Sequence, residues 1–219
     1  MSQDPPRQRA DIRQLPHRGA PASDPGRMSD DIQNAYLKRA INELSALNDE
    51  IADVAAHSGD SALPVLSSGS PQAEILMVKW SASIAERQEG VAFFGRAGSA
   101  ILKSVQRLGL DPLTLYGTLC VKSEGAGFHE DWLAREIHIV RPTLIVPMGE
   151  PALAAVNQLG FPGSTPLEWL PGEVQRWTPA SEAIVVPDID ESLDEQHAKR
   201  AFWSAFRALG DWHLAQPPY

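Results

Sequence analysis

The chain has 219 residues, 43% of them hydrophobic, and a formal charge of -9 from 28 acidic and 19 basic residues. That is enough to bury one sizeable core and leave a tail, and it is too acidic overall to condense on a phosphate backbone, so any nucleic-acid contact has to be local. A single cysteine, Cys120, excludes an intramolecular disulfide and any all-cysteine metal or cluster site, and no apolar stretch approaches the roughly 20 residues that span a bilayer.

Residues 1–28 contain five Pro, five Arg and three Asp with few large apolar side chains. Such a stretch cannot offset the entropy of ordering and is expected to be a disordered tail. It also lacks the apolar centre of a signal peptide, so a cytoplasmic location is expected. A single domain is expected over 29–219. Ser29 can cap a helix, and Ile32, Tyr36, Ala40, Ile41, Leu44, Leu47 and Ile51 recur at three- and four-residue steps, which predicts an amphipathic helix over 29–56. Residues 57–70, rich in Ser and Gly with Pro64, read as a connector with room for a short strand at Val65-Leu66.

An α/β rhythm follows. Apolar runs at Glu74–Val78, Leu115–Val121, Thr143–Met148 and Ala183–Val186 have the length and β-rich composition of fully buried parallel strands. Helical patterns lie between and after them at Ser99–Leu108, His129–Val140, Glu150–Leu159 and Asp194–Leu209, closed by Gly109, Arg141-Pro142, Gly160 and Gly210. This alternation predicts a three-layer α/β/α fold around a central, mainly parallel sheet of four strands. Ligands of such sheets bind outside the carboxyl ends of the strands, which directs attention to residues 79–83, 122–125, 149–150 and 187–188.

Several segments resemble the uracil-DNA glycosylase superfamily, particularly its iron-sulfur branch, over about residues 65–210. The run Trp132-Leu133-Ala134-Arg135-Glu136-Ile137-His138-Ile139-Val140-Arg141-Pro142-Thr143-Leu144-Ile145-Val146-Pro147-Met148-Gly149 is similar to the family's helix, Arg-Pro and Gly-terminated strand. Phe93-Phe94-Gly95-Arg96-Ala97-Gly98 resembles its Phe-Val-Gly-Pro-Ala-Gly. The resemblance implies a pocket for a flipped base, a polar group to hold water against an oxocarbenium-like sugar, an aromatic ring under the base and an amide to read its edge.

The positions that would carry this chemistry hold other residues. Where relatives have Gly-Glu-Ala-Pro-Gly, this chain has Lys79-Trp80-Ser81-Ala82-Ser83, with Trp80 in place of the carboxylate. Where they have Thr-Asn-Val-Val-Lys-Cys, it has Thr118-Leu119-Cys120-Val121-Lys122-Ser123, with Leu119 in place of the amide. Their His-Pro-Ser corresponds to Val186-Pro187-Asp188. Phe93 remains where the stacking ring would sit, and an aromatic there serves equally as core. The cluster cysteines have no counterparts, with Ser123 and His129 near two of their positions, so an iron-sulfur cluster is excluded. The six histidines show no metal-ligand pairing, and no cofactor or metal is expected.

Glu86 and Glu89 are the candidates to replace the lost carboxylate, and both read alternatively as solvated loop charges. Lys79 reads as a strand-end lysine reaching solvent. The predicted pocket lining is Lys79, Trp80, Ser81, Phe93, Gly95, Leu119, Val186 and Asp188. Asp188, Asp190, Glu191, Asp194 and Glu195 put five acids where relatives present a DNA-inserting loop, and residues from 61 onward carry 18 acids against 12 bases, a net -6. Strong DNA binding is therefore not expected. The expectation is a uracil-DNA glycosylase-like domain without base-excision activity, a pseudoenzyme that binds a protein partner or small ligand, with a divergent active glycosylase as the alternative.

Overall fold

Helix α1 (Pro25–His57) is followed by strand β1 (Ser68–Gly69), β2 (Ile75–Lys79), α2 (Ile84–Glu89), α3 (Arg96–Arg107), a 3-10 turn (Pro112–Thr114) and β3 (Leu115–Leu119). Then come α4 (Glu130–Val140), β4 (Leu144–Met148), α5 (Glu150–Gln158), β5 (Val174–Arg176), β6 (Glu182–Ile184), α6 (Ile189–Ser192), α7 (Gln196–Phe206) and α8 (Ala208–Ala215). The computed structural model describes residues 25–58 and 63–216. Of the expected tail, residues 1–24 lie outside the described residues, while 25–28 belong to α1, which starts on Pro25 rather than at a Ser29 cap. Proline suits a first helical turn because its missing N–H would have no intrahelical partner there.

The sheet is mixed and mostly parallel, in the order β1-β3-β2-β4-β6-β5. Strands β3, β2, β4 and β6 run parallel to one another, with Lys79 level with Leu119 on one side and Met148 on the other. Six strands are present instead of four, because β1 and β5 add antiparallel edges. Those edges are two and three residues long and largely exposed, so they leave no hydrophobic run in the sequence.

Every residue of β2, β3 and β4 is buried, and alternate side chains enter two cores. Leu76, Val78, Tyr116 and Ile145 pack with Leu133 and Ile137 of α4 and Leu153 and Val156 of α5. Ile75, Met77, Leu115 and Val146 pack with Ile101 and Val105 of α3, Phe202 and Phe206 of α7, and Leu209 and Trp212 of α8. Outside α4, α1 is anchored by Leu47 and Ile51 on Trp132 and by Glu50, which accepts from Trp132 Nε1 at 3.1 Å and Arg135 at 2.6 Å. Among the described residues no helix is long and apolar enough to cross a membrane.

Two glycines are packing positions inside helices. Gly210 does not end a helix. It lies inside α8, where a Cβ would come within 3.1 Å of Leu108 Cδ2, and the break falls at Arg207 between α7 and α8. Gly98 lies inside α3, and a Cβ there would fall 1.6 Å from the Phe93 carbonyl oxygen. Backbone cannot swing aside as a flexible side chain can. Gly98→Ala is therefore expected to lower stability by about 1–3 kcal/mol or more, as overpacking does, measured by urea unfolding. An unchanged midpoint would show that α3 sits further from Phe93 than described.

Candidate functional site

The strand order reverses between β2 and β4, so the crevice outside their carboxyl ends is where a sheet of this kind holds a ligand. The last residue of β2 there is Lys79, with a side chain 0% exposed. Its Nζ donates to Glu86 Oε2 at 2.6 Å and to the Asp190 carboxylate. A buried ammonium is tolerated only when carboxylates neutralise it and accept its protons. Helices α2 and α6 deliver those two carboxylates.

Glu86 is placed by local sequence. Ser83 caps α2, and Ser83 and Glu86 form a reciprocal capping box: the Ser83 amide donates to Glu86 Oε2 at 2.7 Å, while the Glu86 amide donates to Ser83 Oγ. The Phe93 amide donates to Glu86 Oε1 at 2.5 Å. Both carboxylate oxygens are thus committed. Glu86 is fully buried rather than a solvated loop charge, and Glu89, three residues on, is exposed. The Ser-x-x-Glu spacing at Ser83 was the sequence signal for this.

Phe93 holds a left-handed backbone, φ 59°, which a residue with a Cβ adopts only when its surroundings impose it. Its amide is tied to Glu86, its carbonyl abuts Gly98, and its ring lies on Gly117 of β3, where a Cβ would come within 2.4 Å of the ring. Lys79 Nζ lies 5.6 Å from the ring centroid, within reach of a cation–π attraction. The ring is half-buried between the ammonium and the sheet. Gly95, at φ 81°, opens α3 with 3.2 Å between its virtual Cβ and Ala85.

Of the other predicted lining residues, Leu119 neighbours Lys79 in the sheet and Asp188 lies within reach of its charge, while Trp80 and Ser81 turn away. Trp80 points to the opposite face of the sheet, partly buried and tilted against Phe128 with centroids 5.8 Å apart. Ser81 is exposed. Leu119 is fully buried with Val65 and Ala92, and Val186 is fully buried and bridged to Met148. Asp188 is half-buried beside Gly149 and caps α6, its Oδ1 accepting from the amides of Asp190 at 2.7 Å and Glu191 at 3.4 Å. Of the acidic run, Asp188 and Asp190 are thus engaged in structure, Asp194 bridges Arg96 at 2.8 Å, and Glu191 and Glu195 face solvent.

A second buried ion cluster lies on the other face and was not foreseen. Glu136 of α4, 0% exposed, accepts from Thr118 Oγ1 at 2.5 Å, Lys122 Nζ at 3.0 Å, Tyr116 Oη at 3.3 Å and the Ser67 hydroxyl. Lys122 Nζ also donates to Thr118 Oγ1 at 2.6 Å. Burial and the adjacent Glu136 charge raise the Tyr116 phenol far above its ordinary range, and burial pushes the Cys120 thiol up to about 12. Neither is a nucleophile at neutral pH. His129 stacks on Trp132 at 3.9 Å.

The cavity beside these strand ends, lined by Val65, Ser81, Ala82, Val121 and Lys122 among others, is about 30 Å³. That is space for a water or two. A groove of about 830 Å³ lies at the amino ends of the strands instead, between α1, the end of α4 and the turn after α5. Among the described residues, no group of three or more His, Cys, Asp or Glu is arranged to hold a metal ion. No protein-family model matches the chain, and no curated protein matches it.

Two measurements test this site. Lys79→Met leaves two carboxylates converging without a cation and is expected to cost about 3–5 kcal/mol in urea unfolding, while Glu89→Gln stays within about 0.5 kcal/mol of the parent. Equal effects would mean that the ammonium is not buried. Burial also raises the Asp188 carboxyl above its ordinary value. A raised folded value favours the protonated native state, so this contribution is fully present below the unfolded carboxyl pKa, roughly 3.9, and is lost as pH rises through the folded value. Asp188→Asn keeps the capping oxygen, so its stability relative to the parent should rise with pH across that window and then level off. A pH-independent difference would place Asp188 in solvent.

Proposed function

We propose that the chain is a uracil-DNA glycosylase-like domain that does not excise bases and works as a binding or interaction module. The observation that carries this reading is the Lys79 ammonium, held between Glu86 and Asp190 where the strand ends would otherwise open. Base excision develops positive charge on the sugar and requires a carboxylate or polar group free to hold water, together with donors for the departing base. Here the central group is itself a cation. Glu86 is consumed by an ammonium and two amides, Asp188 by a helix cap, and the adjoining cavity is too small for a nucleobase.

The resemblance to that superfamily gains support from where its matching residues sit. Thr118, Lys122 and Glu136, which lie in the segments similar to the family, join in one buried cluster that ties β3 to α4. The positions that depart from the family pattern, Lys79, Trp80, Leu119 and Val186, lie at the strand ends. A framework kept while its site has changed is what a fold without its former chemistry looks like. The outward-facing Glu191 and Glu195 and the net acidity also oppose a phosphate backbone.

Single-turnover assays with excess protein on oligonucleotides containing uracil or hypoxanthine are expected to show no base release. Release that is abolished by Glu86→Gln would overturn the proposal in favour of a divergent glycosylase with Phe93 stacking the base.

A further inference from the structure

The apolar stripe of α1 runs past the body it packs on. Ala40, Leu44, Leu47, Ile51 and Ala55 are buried along one side of the helix. The same side continues toward the amino terminus through Tyr36 and Ile32, which are 59% and 52% exposed. Residues 30–39 are all exposed except the half-buried Leu37. At 1.5 Å per residue the stretch from Pro25 to Ala40 is an arm of about 22 Å, and a lone helix of that length is marginal in water. It needs a surface to lie on.

The groove of about 830 Å³ begins where the arm leaves the body. Tyr36, Ala40 and Glu43 form one wall, and Ile139 and Phe161 contribute to the apolar face across it. Its far rim carries His138 and Arg141, both exposed and without a salt bridge among the described residues; Arg141 Nε donates only to the His138 carbonyl at 3.4 Å. The arm carries a complementary charge, Asp31, exposed and adjacent to Ile32 round the helix.

We propose that two copies of this chain pair through α1, each arm lying antiparallel to the other and covering the partner's groove. With the twofold axis near Ala35 and Tyr36, residues 28–35 of one arm lie beside residues 36–43 of the other, which form the groove wall. Ile32 then covers apolar floor, and Asp31, about a quarter turn round the helix, approaches the basic rim. The interface is isologous, so one surface is both donor and receiver and the assembly closes at two. This pairing does not depend on whether the strand ends excise bases.

Light scattering of the full-length chain across micromolar concentrations should give twice the mass of one chain, dissociating on dilution. Ile32→Asp and Tyr36→Glu each change an exposed residue and should weaken the dimer about tenfold or more, with unchanged circular dichroism. Asp31→Arg should weaken it as well, and so should His138→Glu with Arg141→Asp, aspartate being an acid that accepts left-handed backbone. Combining the arm and rim changes in one chain should restore it. A monomer at every concentration would overturn the proposal, as would a dimer indifferent to all of these changes.

Discussion

An ammonium group removed from water has to be met by carboxylates, and at Lys79 that requirement organises one end of the molecule. Two short helices, α2 and α6, converge on it from segments over a hundred residues apart, bringing Glu86 and Asp190. Glu86 in turn fixes the start of its own helix through Ser83 and holds the Phe93 amide, so the strained Phe93 backbone is stabilised by the group that neutralises the lysine. Gly98 and Gly117 are small because Phe93 fills the space next to them. Removing the cation would therefore disturb a cap, a turn and a ring together, since members of a buried polar network do not act independently.

The Glu136 cluster is the counterpart on the opposite face, and the contrast is informative. It joins β3, α4 and Ser67 near β1, and it closes with four donors on one carboxylate. A buried lysine next to a buried glutamate on each side of one sheet is costly in desolvation, and such pairs specify an arrangement more than they stabilise it. The Lys79 cluster sits at the carboxyl ends of β2 and β3, where an α/β sheet ordinarily keeps space for a ligand, and the Glu136 cluster lies along β3. Here that space is occupied by the protein's own side chains.

The two ends of the sheet consequently differ in character. The carboxyl end is closed by ion pairs and packed aromatics, with room for a water or two. The amino end opens into a groove flanked by a helix that extends past its own support. Recognition of another macromolecule is better served by the second, because apolar surface next to unpaired charge is available there without breaking a buried network.

Much of the framework was legible from residue pattern. The four parallel strands were readable to within two residues at each end because they are continuous apolar runs, and the helices between them because their burial follows a helical period. The edge strands β1 and β5 were not, since two or three half-exposed residues carry no period. Gly210 read as punctuation because a sequence cannot distinguish a glycine needed for a turn from one needed for close approach. The site divides in the same way. The chemical identity of Lys79, Trp80, Leu119 and Val186 was readable in the sequence. That Lys79 is buried instead of solvated, that Glu86 and not Glu89 meets it, and that Trp80 turns to the other face depend on which elements the fold brings to the strand ends. A carboxylate 111 residues away in Asp190 leaves no trace beside a lysine in the chain, since the energy of a buried ion pair is set by distance and dielectric, which come into being only with the packed structure.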